Sequence, residues 1–345
     1  MTANITDSVL GLGKLPGELL GSLLGSLGTS DDVLVGPGVG RDAAAVRIGD
    51  EILVLKTDPI TFATSGAGKY LINVNANDLA CLGATPRWML VTAMFPEGTT
   101  RETVAASFAD LESAASERGI TLVGGHTEIT TSVVRPVLVG MLAGTASDAT
   151  FLHPGGAKLG DRLILSRPIA IEGTALLANE LQQALPRLTS EDLVRRASEL
   201  LDNPGISVAT DAALALATGS VHALHDPTEG GIAMGAREIA EASGLAIELD
   251  RDAIPVLAET VVFAEVLSLD PLGMLASGSL LIACDPARSE EILNALRENG
   301  GAPADVGRFV DSAEGHALLI GGERRDLPEF QCDEVSRALN ALPAD

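Results

Sequence analysis

Lysine is nearly absent from this chain: Lys14, Lys56, Lys69 and Lys158 are its only four, and with arginine they make 23 basic residues against 47 acidic ones. The resulting formal charge of −24 argues against nucleic acid and against an anionic membrane surface, since both require a basic footprint. Cysteine is equally scarce. Cys81, Cys284 and Cys332 are odd in number and lack C-x-x-C spacing, which excludes a disulfide framework or a zinc ribbon and points to a reducing cytosol. No apolar run approaches the roughly 20 residues of a membrane span, and Asp7 stands where a secretory leader would be basic. A soluble, unprocessed cytoplasmic protein is expected. What is present is 345 residues with 46% hydrophobic content, enough for two α/β domains of ordinary size.

The chemistry-bearing stretch runs from Lys56 to Asp78. Read as a helix, its second half places Asp78 between Val74 and Leu71, with Leu82 on the same side, so a carboxylate is aimed into an apolar stripe. Such a group needs a cation or several hydrogen-bond donors, because burying it alone costs roughly several kcal/mol. Asp58 ends the preceding strand, and with Gly66, Gly68 and Lys69 nearby the pair suggests a Mg²⁺ and phosphate site. The plainer alternative is a turn-starting Asp58 before Pro59 and a solvated Asp78.

Around this stretch the pattern predicts a short helix over 15–27 and a glycine-rich turn at 36–46. It continues with a strand over 52–57, a helix over 68–82, a strand over 87–95, a helix over 101–118, and strands over 120–125 and 134–142. Neither the dinucleotide-binding G-x-G-x-x-G pattern nor a P-loop is present, since Gly68-Lys69 is followed by Tyr70. Composition loosens over 144–160, a domain boundary. The second half restarts with a strand at 161–166, three helices over 172–218 and HDPTEGG, where Asp226 and Thr228 precede a glycine pair opening a helix. Capping alone also accounts for Asp226 and Thr228. Later strands and helices complete another α/β unit, and QCDEVSRAL (331–339) reads as helix.

Taken in order, GRDAAAV (40–46), KTDP (56–59), GAGKYLINVNANDLACLGATP (66–86), GGHTE (124–128) and HDPTEGGIA (225–233) resemble a known superfamily. It includes aminoimidazole ribonucleotide synthetase, thiamine-monophosphate kinase, selenophosphate synthetase and the hydrogenase maturation factor HypE, and the resemblance is strongest to HypE and its relatives. It implies a PurM-like α/β (α+β) architecture. An N-terminal ATP-binding domain (1–148) would dimerise through a shared β-barrel, and a C-terminal α/β domain (149–345) would close an ATP cleft. By the same resemblance, Asp42, Asp58 and Asp78 match metal ligands, with Glu128 a fourth, and Lys69, Asp78 and His126 match catalytic positions. Gly40, Thr57, Gly66, Gly68, Asn77, Gly124, Gly125, Thr127, Asp226, Thr228, Gly230 and Gly231 match the nucleotide cradle.

The chain departs from the pattern at three points. His126 stands where many relatives carry an acid, a poorer ligand for a hard cation, so either Glu128 takes that role or the site carries one charge fewer. Glu229 replaces an arginine usual in hydrogenase maturation members. HypE works through a cysteine at its extreme C-terminus, carbamoylated and then dehydrated to a nitrile at the expense of ATP. Here Cys332 is the last cysteine and lies inside the helical 331–339 stretch, so it is expected to be structural. The expected activity is ATP- and Mg²⁺-dependent phosphorylation of an amide or carbonyl oxygen, on a small molecule or on a carbamoyl group carried by a partner protein. A thiamine-monophosphate-type kinase and a non-catalytic nucleotide-binding scaffold are the alternatives, and a homodimer is expected from the resemblance.

Overall fold

One helix, almost wholly enclosed, joins two sheets. The structure, a computed structural model, describes residues 17–38, 40, 41, 43–61 and 66–341, together with Leu10 and Leu15. The first half comprises α1 (Gly17–Leu24), β1 (Val33–Val35), β2 (Ala44–Ile48), β3 (Glu51–Ile60), α2 (Ala67–Cys81), β4 (Thr85–Pro96), α3 (Arg101–Glu117), β5 (Thr121–Thr130) and β6 (Val137–Ala146). Its strands form one sheet in the order β1-β2-β3-β6-β4-β5, antiparallel except for the parallel pair β4 and β5.

The second half begins with β7 (Arg162–Leu165), α4 (Ile171–Glu180), α5 (Leu185–Leu188), α6 (Glu191–Ser198), α7 (Ala209–Ala217), β8 (Val221–His225) and α8 (Gly231–Ala242). It continues through β9 (Ala246–Asp250), α9 (Ala258–Leu267), β10 (Leu281–Cys284), α10 (Ser289–Glu298), β11 (Ala304–Val310), β12 (Ala317–Ile320), β13 (Glu323–Asp326) and α11 (Glu334–Ala341). The second sheet has the order β13-β12-β9-β11-β7-β10-β8.

The first sheet shows the alternation that a two-faced strand demands. In β4, Met89, Val91, Ala93 and Phe95 are buried beneath α2, while Trp88 and Leu90 on the other face are exposed. Helix α3 starts at Thr100, whose hydroxyl accepts from the Thr103 N–H at 3.1 Å, and ends just before Gly119 at a positive φ. Leu111 and Ala115 on this helix are buried, but Phe108 is exposed.

Helix α2 lies against β3, β4 and β6 on one side and against α7 and β8 on the other. Burial on all sides explains why its sequence has so little amphipathic character. Gly68 is required where α2 crosses α3, because a Cβ there would sit 2.6 Å from the Leu111 nitrogen. Leu71, Ile72 and Leu79 are fully buried in a cluster that also holds Val208, Ala212, Leu224 and Ile282, so the apolar core runs unbroken between the halves. Each such side chain contributes about 1.5–3 kcal/mol.

The remaining corrections are local. The first helix is shorter than the 15–27 span, and the third strand runs on to Thr130. Cys332 is exposed and precedes α11 rather than lying within it, because the Asp333 carboxylate accepts from the Val335 N–H at 2.8 Å and starts the helix there.

Asn77 is wholly buried and clasps the second half at two points. Its amide donates to the Ile206 carbonyl at 2.9 Å and accepts from the Val208 N–H at 3.0 Å. Asn77→Ala would strand two buried backbone groups and is expected to cost about 2–4 kcal/mol in urea unfolding; a change under about 0.5 kcal/mol would show that the clasp is dispensable.

Candidate functional site

The even positions of β3, Ile52, Val54, Lys56 and Asp58, all point toward α2, and Asp78 on α2 points back at them. The Lys56 ammonium lies 2.8 Å from Asp78 Oδ2 and 3.1 Å from Asp58 Oδ2, with the Lys56 and Asp78 side chains 9% and 7% exposed. The cation that a buried Asp78 requires is therefore Lys56, a role the sequence reading did not assign. Period-two alternation carried the signal, since Lys56 and Asp58 share a face. Two carboxylates and one ammonium leave a net charge of −1 to face an incoming ion.

The C-terminal half supplies the facing wall. Cys81, one turn beyond Asp78, donates its thiol to Asp226 Oδ1 at 3.4 Å, and both residues are buried. Gly40, Asp78, Cys81, Leu82, Pro154, Leu224, His225 and Ile239 line a small cavity there, and His225 Nε2 lies 3.0 Å from Glu238 Oε2. The motifs at 40–46, 56–78 and 225–231 thus meet at the C-terminal end of α2. Asp42 lies outside the described residues.

Other predicted positions are brought elsewhere. Lys69 is nine residues from Asp78 on the same helix, about 13 Å along the axis, and its ammonium pairs with Asp202 of the second half. Thr57 alternates onto the opposite face of the sheet from Asp58 and is exposed. His126 and Glu128 lie on that opposite face too, exposed and paired with each other at 3.3 Å. Because β6 and β4 intervene, the row Asp58, Gly140, Val91, Gly125 crosses three strand spacings, about 14 Å. Within one chain, Glu128 and His126 therefore do not join Asp58 and Asp78, and the expected fourth metal ligand is kept away by strand order.

Several glycines of the expected cradle are held by protein groups. Gly66, at positive φ, is the residue from which α2 starts, and the Gly68 N–H donates to Asp110 at 2.7 Å. Gly230 donates to Asp333 at 2.9 Å, and Gly231 donates to the Thr228 carbonyl at 3.1 Å. Gly124 follows an irregularity in β5 at Val123, and a Cβ on the next residue, Gly125, would lie 1.8 Å from the Val91 carbonyl oxygen. Thr127 is an exposed residue of the same strand. Asn77 is engaged by the backbone clasp already described.

A second acidic cluster was not foreseen. Burial, reinforced by Glu229, Asp333 and Asp226, pushes the Glu172 carboxyl up to about 7. Burial likewise raises Asp333 to about 6, against the opposing pull of the Gly230 and Val335 N–H groups. Sequence spacing held no signal for this, since α4, the 226–229 loop and the start of α11 are remote in the chain.

Comparison with known proteins identifies the family and the fold. Residues 40–146 match the family described as AIR synthase related protein, N-terminal domain, and residues 158–319 match its C-terminal domain. The chain is 30% identical over 283 residues to carbamoyl dehydratase HypE of Escherichia coli K12, covering 79% of this chain and 80% of that one. A crystal structure of HypE in complex with ATP superposes with a TM-score of 0.70 at 22% identity, covering 92% and 91% of the two chains. The HypE–HypF complex structure gives 0.70 at 20% identity, over 83% and 93%. The two-sheet fold is that of the PurM-like HypE structures.

Two tests follow from the electrostatics. Lys56→Met removes the ammonium that Asp58 and Asp78 share and is expected to lose about 3 kcal/mol in urea, largely regained by adding Asp78→Asn. No loss in the single variant would show that the ammonium is not what holds Asp78. For Glu172, the native state keeps a proton that the unfolded chain releases from about pH 4.5, so stability falls as pH rises from there to about 7. Glu172→Gln removes that slope and is expected to be more stable than wild type at pH 8, by on the order of 1–3 kcal/mol, with a smaller difference at pH 5; equal differences at both would contradict it.

Proposed function

The chain belongs to the family of AIR synthase related proteins, close to HypE, and from that premise we propose that it is an ATP- and Mg²⁺-dependent enzyme that phosphorylates an amide or carbonyl oxygen. The observation that carries this reading is the Lys56 bridge, which holds Asp58 and Asp78 together where α2 meets Asp226 of the second half. The ATP-bound HypE structure of the same fold supports the nucleotide.

The residues fit the metal in a limited way. Among the described residues no group of three or more histidine, cysteine or acidic side chains is arranged as a metal cage. Mg²⁺ normally takes one or two carboxylates and completes its shell with water and phosphate oxygens, so Asp58 and Asp78 are an adequate protein share. When bound, the ion would draw off charge that builds on the phosphate oxygens during transfer. Lys56 fixes the separation of the two carboxylates and keeps a positive charge beside them. Asp226 limits the site from the opposite wall, and the buried Cys81 and Leu82 exclude water.

The acceptor belongs to the amide or carbamoyl class, either free or presented by a partner protein, a role supported by the HypE–HypF assembly. We divide the chain at 148/149, between β6 and β7, in line with the two matched domains. We assign the face of the first sheet that the described residues leave uncovered, with Trp88, Leu90 and the His126–Glu128 pair, to contact with a second copy of the chain. No helix among the described residues is long and apolar enough to cross a membrane.

The test is ADP release with Mg²⁺ and ATP, with and without carbamoyl-type acceptors such as carbamoyl phosphate. Acceptor-stimulated release is expected in wild type and at least about a hundredfold less in Asp78→Asn. ATP binding with no stimulation by any acceptor would overturn the enzyme reading in favour of a scaffold.

A further inference from the structure

On the second sheet, about 10 Å along β8 from the cleft residue His225, three side chains form a hydrogen-bonded chain that the proposed reaction does not use. A tight turn at 158–161 sets the first two: the Asp161 N–H donates to the Lys158 carbonyl at 3.0 Å, and the Lys158 N–H donates to Asp161 Oδ2 at 2.8 Å. The same Oδ2 lies 2.8 Å from His222 Nδ1, and His222 Nε2 lies 2.9 Å from the Lys158 ammonium.

The donor inventory fixes the proton positions. An ammonium only donates and a carboxylate only accepts, so Nδ1 carries the imidazole proton and Nε2 presents its lone pair to Lys158. Asp161 is 4% exposed and His222 21%, which locks the ring, while Lys158 itself is on the surface and open to reagents. The charged neighbours on this part of the sheet, Arg162 and Asp305, are engaged with each other at 2.7 Å. Cys284 is fully buried and its thiol is pushed up to about 12 by burial first and then by Asp161 and Asp305, so it does not compete as a nucleophile.

A lysine poised on the lone pair of a carboxylate-anchored imidazole has the parts of an activated nucleophile. We propose that Lys158 is an acyl-accepting residue, modified on its Nζ by small acyl phosphates with His222 as general base and Asp161 as the positioning residue. His222 Nε2 takes one proton from the ammonium, and Asp161 stabilises the imidazolium. The freed amine lone pair forms a C–N bond to the acyl carbon, and the C–O bond to phosphate breaks with its electrons leaving on phosphate. The second amine proton goes to that phosphate, giving hydrogen phosphate, and His222 returns its own to water.

The four lysines make the test internally controlled. The full-length protein is incubated with acetyl phosphate at pH 8, and acetylation at each lysine is followed by peptide mass spectrometry. Lys158 is expected to react at least about tenfold faster than Lys69, whose ammonium is also exposed, and His222→Gln is expected to reduce the Lys158 rate by at least about tenfold while leaving Lys69 unchanged. The Lys158/Lys69 ratio reads the effect in wild type without any variant, and its own Lys69 rate shows whether His222→Gln is folded. Equal rates at the two lysines in wild type, or an unchanged Lys158 rate in His222→Gln with an unchanged Lys69 rate, would overturn the assignment.

Discussion

A carboxylate buried in the wall between two sheets is the constraint around which the cleft is built. Lys56 reaches Asp78 across the sheet-to-helix gap and pairs its charge, and β3 positions Lys56 by keeping its two-residue alternation up to Asp58. The phase of one helix and the register of one strand are thereby tied to a single ammonium. Slipping β3 by one residue would turn Lys56 and Asp58 to the far face and leave Asp78 stranded.

This explains what was legible in the chain and what was not. The inward aim of Asp78 follows from helix phase, and Lys56 follows from strand alternation once Asp58 is placed on the inner face. Lys69 illustrates the opposite case, because nearness in sequence to Asp78 becomes distance along a helix axis. His126 and Glu128 belong to a motif that accompanies the others in order, but only the insertion of β6 between β3 and β4, which no local pattern encodes, reveals their separation. Glu172 and Asp333 were invisible for a related reason: their environment is made by segments that meet only after folding.

The first sheet divides its labour between faces. One is committed to α2 and α3 and, through α2, to the second half. The other carries Trp88, Leu90, His126 and Glu128 without cover from the described residues of this chain. The family motifs are thus divided between two different surfaces, and the contact with a second copy proposed above is the one that would involve the outer of them.

The glycines at the starts of α2 and α8 carry a consequence of their own. Each has a backbone donor occupied by an aspartate from elsewhere, Asp110 on Gly68 and Asp333 on Gly230. Any anionic guest seeking those donors must evict a resident carboxylate, and the evicted Asp333 is also the residue that starts the last helix. Occupancy at the mouth of α8 and docking of the chain's tail are in that sense rivals for the same hydrogen bond.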